Sequence, residues 1–417
     1  MILHKNNDMR SILILFILLI TVSCAETPKE AVSMEQDVTF LADDNLKGRQ
    51  TGTEGELQAA AYIEKRFSEI GLSPKGASGA FTQTFSFKQS SNPHEQSEYT
   101  QTITDSTLTG TNVIGYIDNA GDNTVVIGAH YDHLGMGGEG SLDREEAAVH
   151  NGADDNASGV AVMLKLAEAL NHAESKNNFL FIAFSGEEMG LLGSNFFVKN
   201  PTIDKDAVSY MVNMDMVGRL NEENTVAVYG VGTSSIFKQT LFANNDQGLN
   251  IAEHDSGIGP SDHTSFYLAD IPVLHFFTGQ HADYHKPTDD AEKLNYKGME
   301  KISAYILNVV TDLDDAGKLP FRKTKNESEE VPAFKVALGV VPDYLYSGKG
   351  MRIDGVSEDK PAQKAGLIKG DVVIKLGDLN TNDMMGYMRA LATFEEGQST
   401  MVTVDRKGEI LEFDITF

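Results

Sequence analysis

Three short runs without a charged residue each end at side chains that bind metals well. Val125 to Ala129 ends at His130, Phe179 to Phe184 leads through Ser185-Gly186 into Glu187-Glu188, and Tyr210 to Met214 ends at Asp215. Unbroken apolar runs of this length belong to strands buried on both faces, as in parallel sheets covered by helices. Helical periodicity lies between them, most clearly over Val160 to Leu170. Further strand runs follow at Thr225 to Tyr229 and Ile271 to Phe277. The expected fold class is therefore α/β, a mostly parallel sheet sandwiched by helices. Ligands of such sheets bind outside the carboxyl ends of the strands. That is where the His, the Glu pair and the Asp fall.

The loop ahead of the central helix, Asn151-Gly152-Ala153-Asp154-Asp155-Asn156-Ala157-Ser158-Gly159, adds two carboxylates. Alone, an Asp pair before a helix reads as dipole compensation, with Ser158 or Asn156 as the cap. It does not stand alone. With Tyr284-His285 further on, five segments offer His130, Asp155, Glu187 with Glu188, Asp215 and His285. Two imidazoles among several carboxylates suit zinc, with manganese or cobalt as alternatives. The carboxylates exceed the needs of one ion, which implies two ions and a bridging carboxylate.

Helical spacing also covers Glu35 to Leu46 and Leu57 to Ile70, separated by the glycine-rich turn Gly48 to Gly55. That turn fits neither a phosphate loop nor a dinucleotide fingerprint. A net charge of -27 argues against a nucleic-acid partner, because phosphate contacts need clustered Lys and Arg. At the N-terminus, Lys5 and Arg10 precede the apolar run Ile12 to Ile20 and then Thr21-Val22-Ser23-Cys24. Such a run is short for a membrane span and suits a signal-peptide core. Cys24 is the sole cysteine, so no intrachain disulfide or cysteine zinc knuckle forms. It resembles the modified cysteine of a bacterial lipoprotein, with Thr21 an imperfect match where Leu is usual. The expectation is a signal peptide over 1–23, a lipid on Cys24, and export to the cell envelope on its periplasmic or outer-membrane side, otherwise secretion. The membrane would be touched through that anchor only. Residues 24–317 form the expected catalytic domain, the charged, proline-bounded stretch 318–332 a linker, and 333–417 a small second domain.

The site segments, in order, resemble the co-catalytic zinc aminopeptidase family, which includes bacterial leucyl aminopeptidases, glutamate carboxypeptidase and glutaminyl cyclases. The matching pieces are Gly128 to His133, Gly152 to Gly159, Ser185 to Gly190, Asn213-Met214-Asp215 and Tyr284-His285, with Gly48 to Gly55 resembling the family's N-terminal motif. The resemblance implies that Asp155 bridges two Zn2+, with His130 and Asp215 on one and Glu188 and His285 on the other. It implies Glu187 as general base and acid, Asp132 as the residue orienting His130, Tyr284 as donor to the oxyanion, and a cis peptide after Asp155. The implied reaction is hydrolysis of the first peptide bond of substrates with a free N-terminus. Carboxypeptidase, dipeptidase or glutaminyl cyclase chemistry on the same fold, and a non-catalytic peptide-binding lipoprotein, are the alternatives.

Several neighbours invite a role and have a plainer one. Asp154 reads as structural, and His133 and His150 as flanking residues outside the metal set. Ser261-Asp262-His263 lacks the nucleophile elbow of a serine hydrolase, although His263 falls in a segment that lies near substrate in the family. His275 reads as a core histidine within a strand. Arg219 is a candidate contact for a substrate carboxylate, with structural pairing as the alternative. Residues 333–417 resemble a PDZ domain, on Val336-Ala337-Leu338-Gly339-Val340 and on Lys360 to Asp371. That implies a β-rich fold taking a peptide C-terminus at Leu338, Gly339 and Val340, with Ala337 replacing the usual first glycine, and a helix over Thr381 to Thr393. A spacer or lid is the alternative.

Overall fold

The structure is a computed structural model and describes residues 32–89, 97–138, 140–143, 147–325, 335–343, 345–346, 348–357 and 360–417. The expected signal segment and Cys24 lie outside the described residues. In chain order, α1 (Met34–Leu41) and α2 (Glu54–Ile70) precede β1 (Ser73–Pro74), β2 (Thr82–Lys88), β3 (Glu98–Tyr99), β4 (Leu108–Ile117) and β5 (Thr124–His130). Next come α3 (Gly159–Asn171), β6 (Asn178–Phe184), α4 (Leu192–Lys199), β7 (Val208–Met214), β8 (Thr225–Tyr229), α5 (Phe237–Ala243), β9 (Asn250–Glu253), α6 (His263–Tyr267), β10 (Val273–Phe277) and α7 (Tyr296–Asp312).

These strands build one sheet in the order β3-β2-β4-β6-β5-β7-β10-β8-β9, with β1 beside β4. Its four central strands, β6, β5, β7 and β10, run parallel, while β4 and β8 join them antiparallel. Every residue of β5, β6 and β7 is buried, which is why these runs carry no polar alternation. Their side chains still divide between the two faces. Val125, Ile127 and Ala129 meet α1, α2, α3 and α7 in the larger core, and Val126 meets Phe197 of α4 and Phe266 of α6 on the other face. Truncating a fully buried α3 residue such as Leu164 to Ala costs about 2–5 kcal/mol.

Register places the site. His130 pairs with Phe184, and Gly128 with Asn213, so His130, the Ser185 turn and Asp215 emerge together at the carboxyl edge. The chain leaves α1 at Leu41, earlier than the spacing to Leu46 implied, because a short 3-10 segment takes over at Asp44–Arg49.

The second sheet is antiparallel: β11 (Val340–Pro342), β12 (Met351–Val356), β13 (Val372–Leu376), β14 (Leu379–Asn380), β15 (Ser399–Arg406) and β16 (Glu409–Thr416), with α8 (Pro361–Ala365) and α9 (Met384–Leu391). It has its own core around Leu338, Ile353, Val373, Tyr387 and Val402. The expected linker 318–332 needs one correction. Its first part is packed on the first domain: Leu319 is buried in the large core, Phe321 lies 5.4 Å from the Tyr267 ring, and the Arg322 N–H donates to Thr233 O at 2.7 Å. Residues 326–334 lie outside the described set.

Candidate metal centre

Loops at the carboxyl edge carry the donors. The 151–159 loop lies between β5 and α3, and its Asp155-Asn156 peptide is cis, as the family resemblance implied. Asn156 rather than Ser158 caps α3, accepting the Gly159 N–H at 3.0 Å. The Asn156 amide also donates to Met214 O at 3.0 Å, tying this loop to the end of β7.

His130 Nε2 stands 3.3 Å from Asp215 Oδ1 and 3.4 Å from Asp155 Oδ1. The other Asp155 oxygen, Oδ2, stands 3.2 Å from His285 Nε2, which is 3.4 Å from Glu188 Oε2. One carboxylate thus faces two separate donor groups with its two oxygens. Tetrahedral zinc ligands at 2.0–2.1 Å from the ion lie about 3.3 Å from one another. The four distances match that spacing, and the residues present fit a pair of ions sharing Asp155. His133 joins the second group: its Nδ1 is 2.8 Å from Glu188 Oε1 and 3.9 Å from Asp155 Oδ2. The first distance is that of a hydrogen bond. Donor atoms of His130, Asp155 and Asp215, and of His133, Asp155 and Glu188, lie within 4.8 Å of one another.

The electrostatics lead the same way. Burial pulls the His130 imidazole down, but Asp215 and Glu187 hold its pKa well above the usual value. Burial likewise opposes His285, which Asp155 and Glu188 hold at about 9. Burial opposes ionisation of Asp155 too, yet its bonds to His130 and His285 keep it well below the usual carboxylate range. At both imidazoles the surrounding carboxylates outweigh burial, an acidic setting that a divalent cation would fit. Glu187 moves the other way: enclosure raises it well above its usual value, and the Glu188 and Asp215 charges add to that despite His130.

Asp132 faces the back of His130, with Oδ1 3.6 Å and its backbone carbonyl 3.2 Å from Nδ1. The same carboxylate accepts the Glu187 N–H at 3.2 Å and the Thr51 hydroxyl at 3.0 Å. Tyr284 stacks on His285 with ring centroids 3.8 Å apart, and burial beside Asp155 and Glu188 raises its hydroxyl. His285 itself sits at φ 54, held by Nδ1 on Gly140 O at 2.8 Å.

Three supports were not legible as such. Arg49, 1% exposed, donates to the carbonyls of Tyr131 (2.7 Å), Leu41 (2.5 Å), Asn151 (2.6 Å) and Gly152 (3.1 Å). It holds the end of β5 and the 151–159 loop from one guanidinium. Asp289 accepts the N–H groups of Asp154 (2.8 Å) and Asp155 (3.1 Å) and the Arg219 guanidinium (3.3 Å). Glu56, buried, accepts from Gly52 N, Thr111 N, Ser185 Oγ and Tyr131 Oη. The Gly48 to Gly55 turn and the Thr288-Asp289-Asp290 run were the available signals.

The remaining candidates resolve simply. Asp154 accepts the Gly218 N–H at 2.6 Å and contacts His281 at 3.1 Å, a structural setting. His150 contacts Ser141 Oγ and Ala148 O. His275 Nδ1 meets the Asn213 amide at 3.1 Å, and its ring stacks on His263 at 4.3 Å. His263 is fully buried, and Ser261 Oγ accepts from Asn213 rather than meeting that imidazole. In the second domain the Leu338 side chain is buried, Gly339 turns at φ 79 with its carbonyl accepting from Ser357, and Val340 pairs with Val356.

Residues 112–310 match the model of peptidase family M28, and residues 321–417 that of the PDZ domain. The chain is 33% identical over 199 residues to leupeptin-inactivating enzyme 1 of Streptomyces exfoliatus, covering 46% of this chain and 41% of that protein. It is 29% identical over 181 residues to an aminopeptidase of Bacillus subtilis, covering 40% and 39%. It thus spans about two-fifths of the length of these curated relatives. Among solved structures, it resembles the zinc aminopeptidase BSAP of Bacillus subtilis with a TM-score of 0.52 at 16% identity, over 69% of this chain and 97% of that one. It resembles a glutaminyl cyclase of Bacteroides thetaiotaomicron with a TM-score of 0.54 at 16% identity, over 67% and 97%. At those identities the likeness is one of fold. Residues 112–310 are a peptidase family M28 domain, and the antiparallel second sheet with its helices is a PDZ domain.

Proposed function

We propose that the chain is an exported, lipid-anchored di-zinc aminopeptidase that releases N-terminal residues from peptides. The carrying observation is Asp155, whose two oxygens face His130 with Asp215 on one side and His285 with Glu188 on the other. Two donor groups sharing one carboxylate favour two ions over the single zinc of a cyclase reading. Zinc, once bound by these residues, supplies Lewis acidity for the attacking water and for the carbonyl oxygen.

The chain's own residues do the rest. Glu187, adjacent to the donor Glu188 and held by its backbone N–H on Asp132, takes a proton from the attacking water and passes it to the leaving amine. Asp132 orients His130 through Nδ1 and positions Glu187 through its backbone N–H. The Tyr284 hydroxyl, kept protonated by burial, donates to the developing oxyanion. His133 holds Glu188.

The test is release of amino acids from aminoacyl-nitroanilides with and without chelator, beside Glu187→Gln. Support is chelator-sensitive release from unblocked but not N-acetylated substrates, lost in the variant while metal is retained. Release only from a peptide's C-terminus would transfer the reading to a carboxypeptidase.

A further inference from the structure

The PDZ domain meets the wall of the candidate active site. Gly279 follows β10 at φ 95, and a Cβ there would stand 2.9 Å from Leu345 of the β11–β12 connection. The chain requires glycine at this point for the backbone turn, and the Leu345 side chain packs into the space its missing Cβ leaves. Beside the contact lies a cleft of about 290 Å³ walled by both domains. On one side are Arg219 and residues 278–282, which continue directly into Tyr284 and His285; on the other are Asp343, Arg352, Asp354 and Lys369. Asp289 joins cleft to centre, since its carboxylate takes both Arg219 and the Asp155 N–H.

The charges inside are not evenly presented. Arg352 pairs with Asp343 and Lys369 with Asp354, both at short range. In each pair the cation is the exposed partner: 42% against 11%, and 69% against 19%. With the acids partly covered and the cations in water, each cation has further N–H donors on its exposed side that a second carboxylate can reach. A chain of net charge -27 thus turns two cationic heads toward a cleft that adjoins its metal donors. We propose that this cleft is a substrate subsite, in which Arg352 and Lys369 receive a carboxylate carried a few residues beyond the scissile bond. The subsite deepens the aminopeptidase reading and rests on it: the preferred substrates are short peptides with an acidic side chain or a nearby terminal carboxylate. It is separate from the 338–340 loop, where a PDZ domain takes a peptide C-terminus.

The test uses the full-length, zinc-loaded Glu187→Gln chain, which leaves peptides uncut, and isothermal titration calorimetry. The probes are Leu-Ala peptide amides of five residues with one Glu moved from the third to the fifth position, their Gln counterparts, and the Gln peptide with a free C-terminus. The expected result is affinity about tenfold higher for at least one Glu amide than for its Gln partner. Arg352→Ala with Lys369→Ala should bring that ratio below about twofold, as loss of the charge-assisted contacts requires. The free-C-terminus peptide shows whether a terminal carboxylate uses the same cations. Equal affinities for Glu and Gln amides, or a preference that survives the double substitution, overturn the subsite. In the otherwise wild-type chain, the double substitution should leave leucyl-nitroanilide turnover unchanged, since that substrate ends before the cleft. Absence of any nitroanilide turnover would remove the aminopeptidase reading, while calorimetry still reads the cleft.

Discussion

His133 Nδ1 stands 2.8 Å from Glu188 Oε1, whereas His285 Nε2 stands 3.4 Å from Glu188 Oε2 and 3.2 Å from Asp155. The first is a hydrogen bond and the second pair of distances is ligand-to-ligand spacing. His285→Ala should therefore bind one zinc fewer by elemental analysis after dialysis. His133→Ala should keep two at saturating zinc and weaken affinity by about 10–100-fold, the usual effect of losing a support to a ligand. Loss of an ion in His133→Ala alone would exchange the two roles.

Arg49→Met leaves four carbonyls, of Leu41, Tyr131, Asn151 and Gly152, without their shared donor. Chemical denaturation should show a loss of about 3–5 kcal/mol, in the range for removing one partner from a buried charged network. A loss below about 1 kcal/mol would show that water replaces the guanidinium.

Burial pushes the Glu56 carboxyl up to about 7 from 4.5, against the bonds from Ser185, Gly52 and Thr111 that favour its charged form. A raised folded-state pKa gives stability that is complete below about pH 4.5 and lost as pH rises through about 7. In chelator, wild type should lose on the order of 3 kcal/mol relative to Glu56→Gln between pH 4.5 and 8. A difference between the two proteins that is flat with pH would place the Glu56 pKa near its unfolded value.

Asp289→Asn keeps the shape but removes the charge that holds Arg219 and the N–H groups of Asp154 and Asp155. The kcat/KM on leucyl-nitroanilide should fall by about 10–100-fold, as for other supports one bond removed from a metal ligand. Wild-type kinetics with intact zinc affinity would limit Asp289 to a structural anchor.

The sheet was legible because β5, β6 and β7 are buried on both faces and so read as largely apolar runs free of Asp, Glu, Lys and Arg. The donors were legible because each follows such a run or sits in a short polar loop. What stayed hidden depends on distant pairings. Arg49 acts 82 to 103 residues away, on Tyr131, Asn151 and Gly152. Asp289 reaches 134 residues back to Asp155, and no local pattern encodes such a span. In the sequence His133 merely flanks the site, yet folding carries its ring onto Glu188. The helical spacing to Leu46 overruns α1 because Asp43, in extended conformation, starts a separate 3-10 segment by accepting the Asn45 N–H at 2.8 Å, a cap that apolar spacing does not announce.

The proposed function requires Asp155 to be shared by two zinc ions that act with Glu187 on N-terminal peptide bonds. Its most direct measurement is zinc content by elemental analysis, paired with leucyl-nitroanilide turnover, in wild type and Asp155→Asn. Wild type should hold two zinc equivalents and show chelator-sensitive turnover, and the variant at most one equivalent and no measurable turnover. Two equivalents and near wild-type turnover in Asp155→Asn would contradict that requirement.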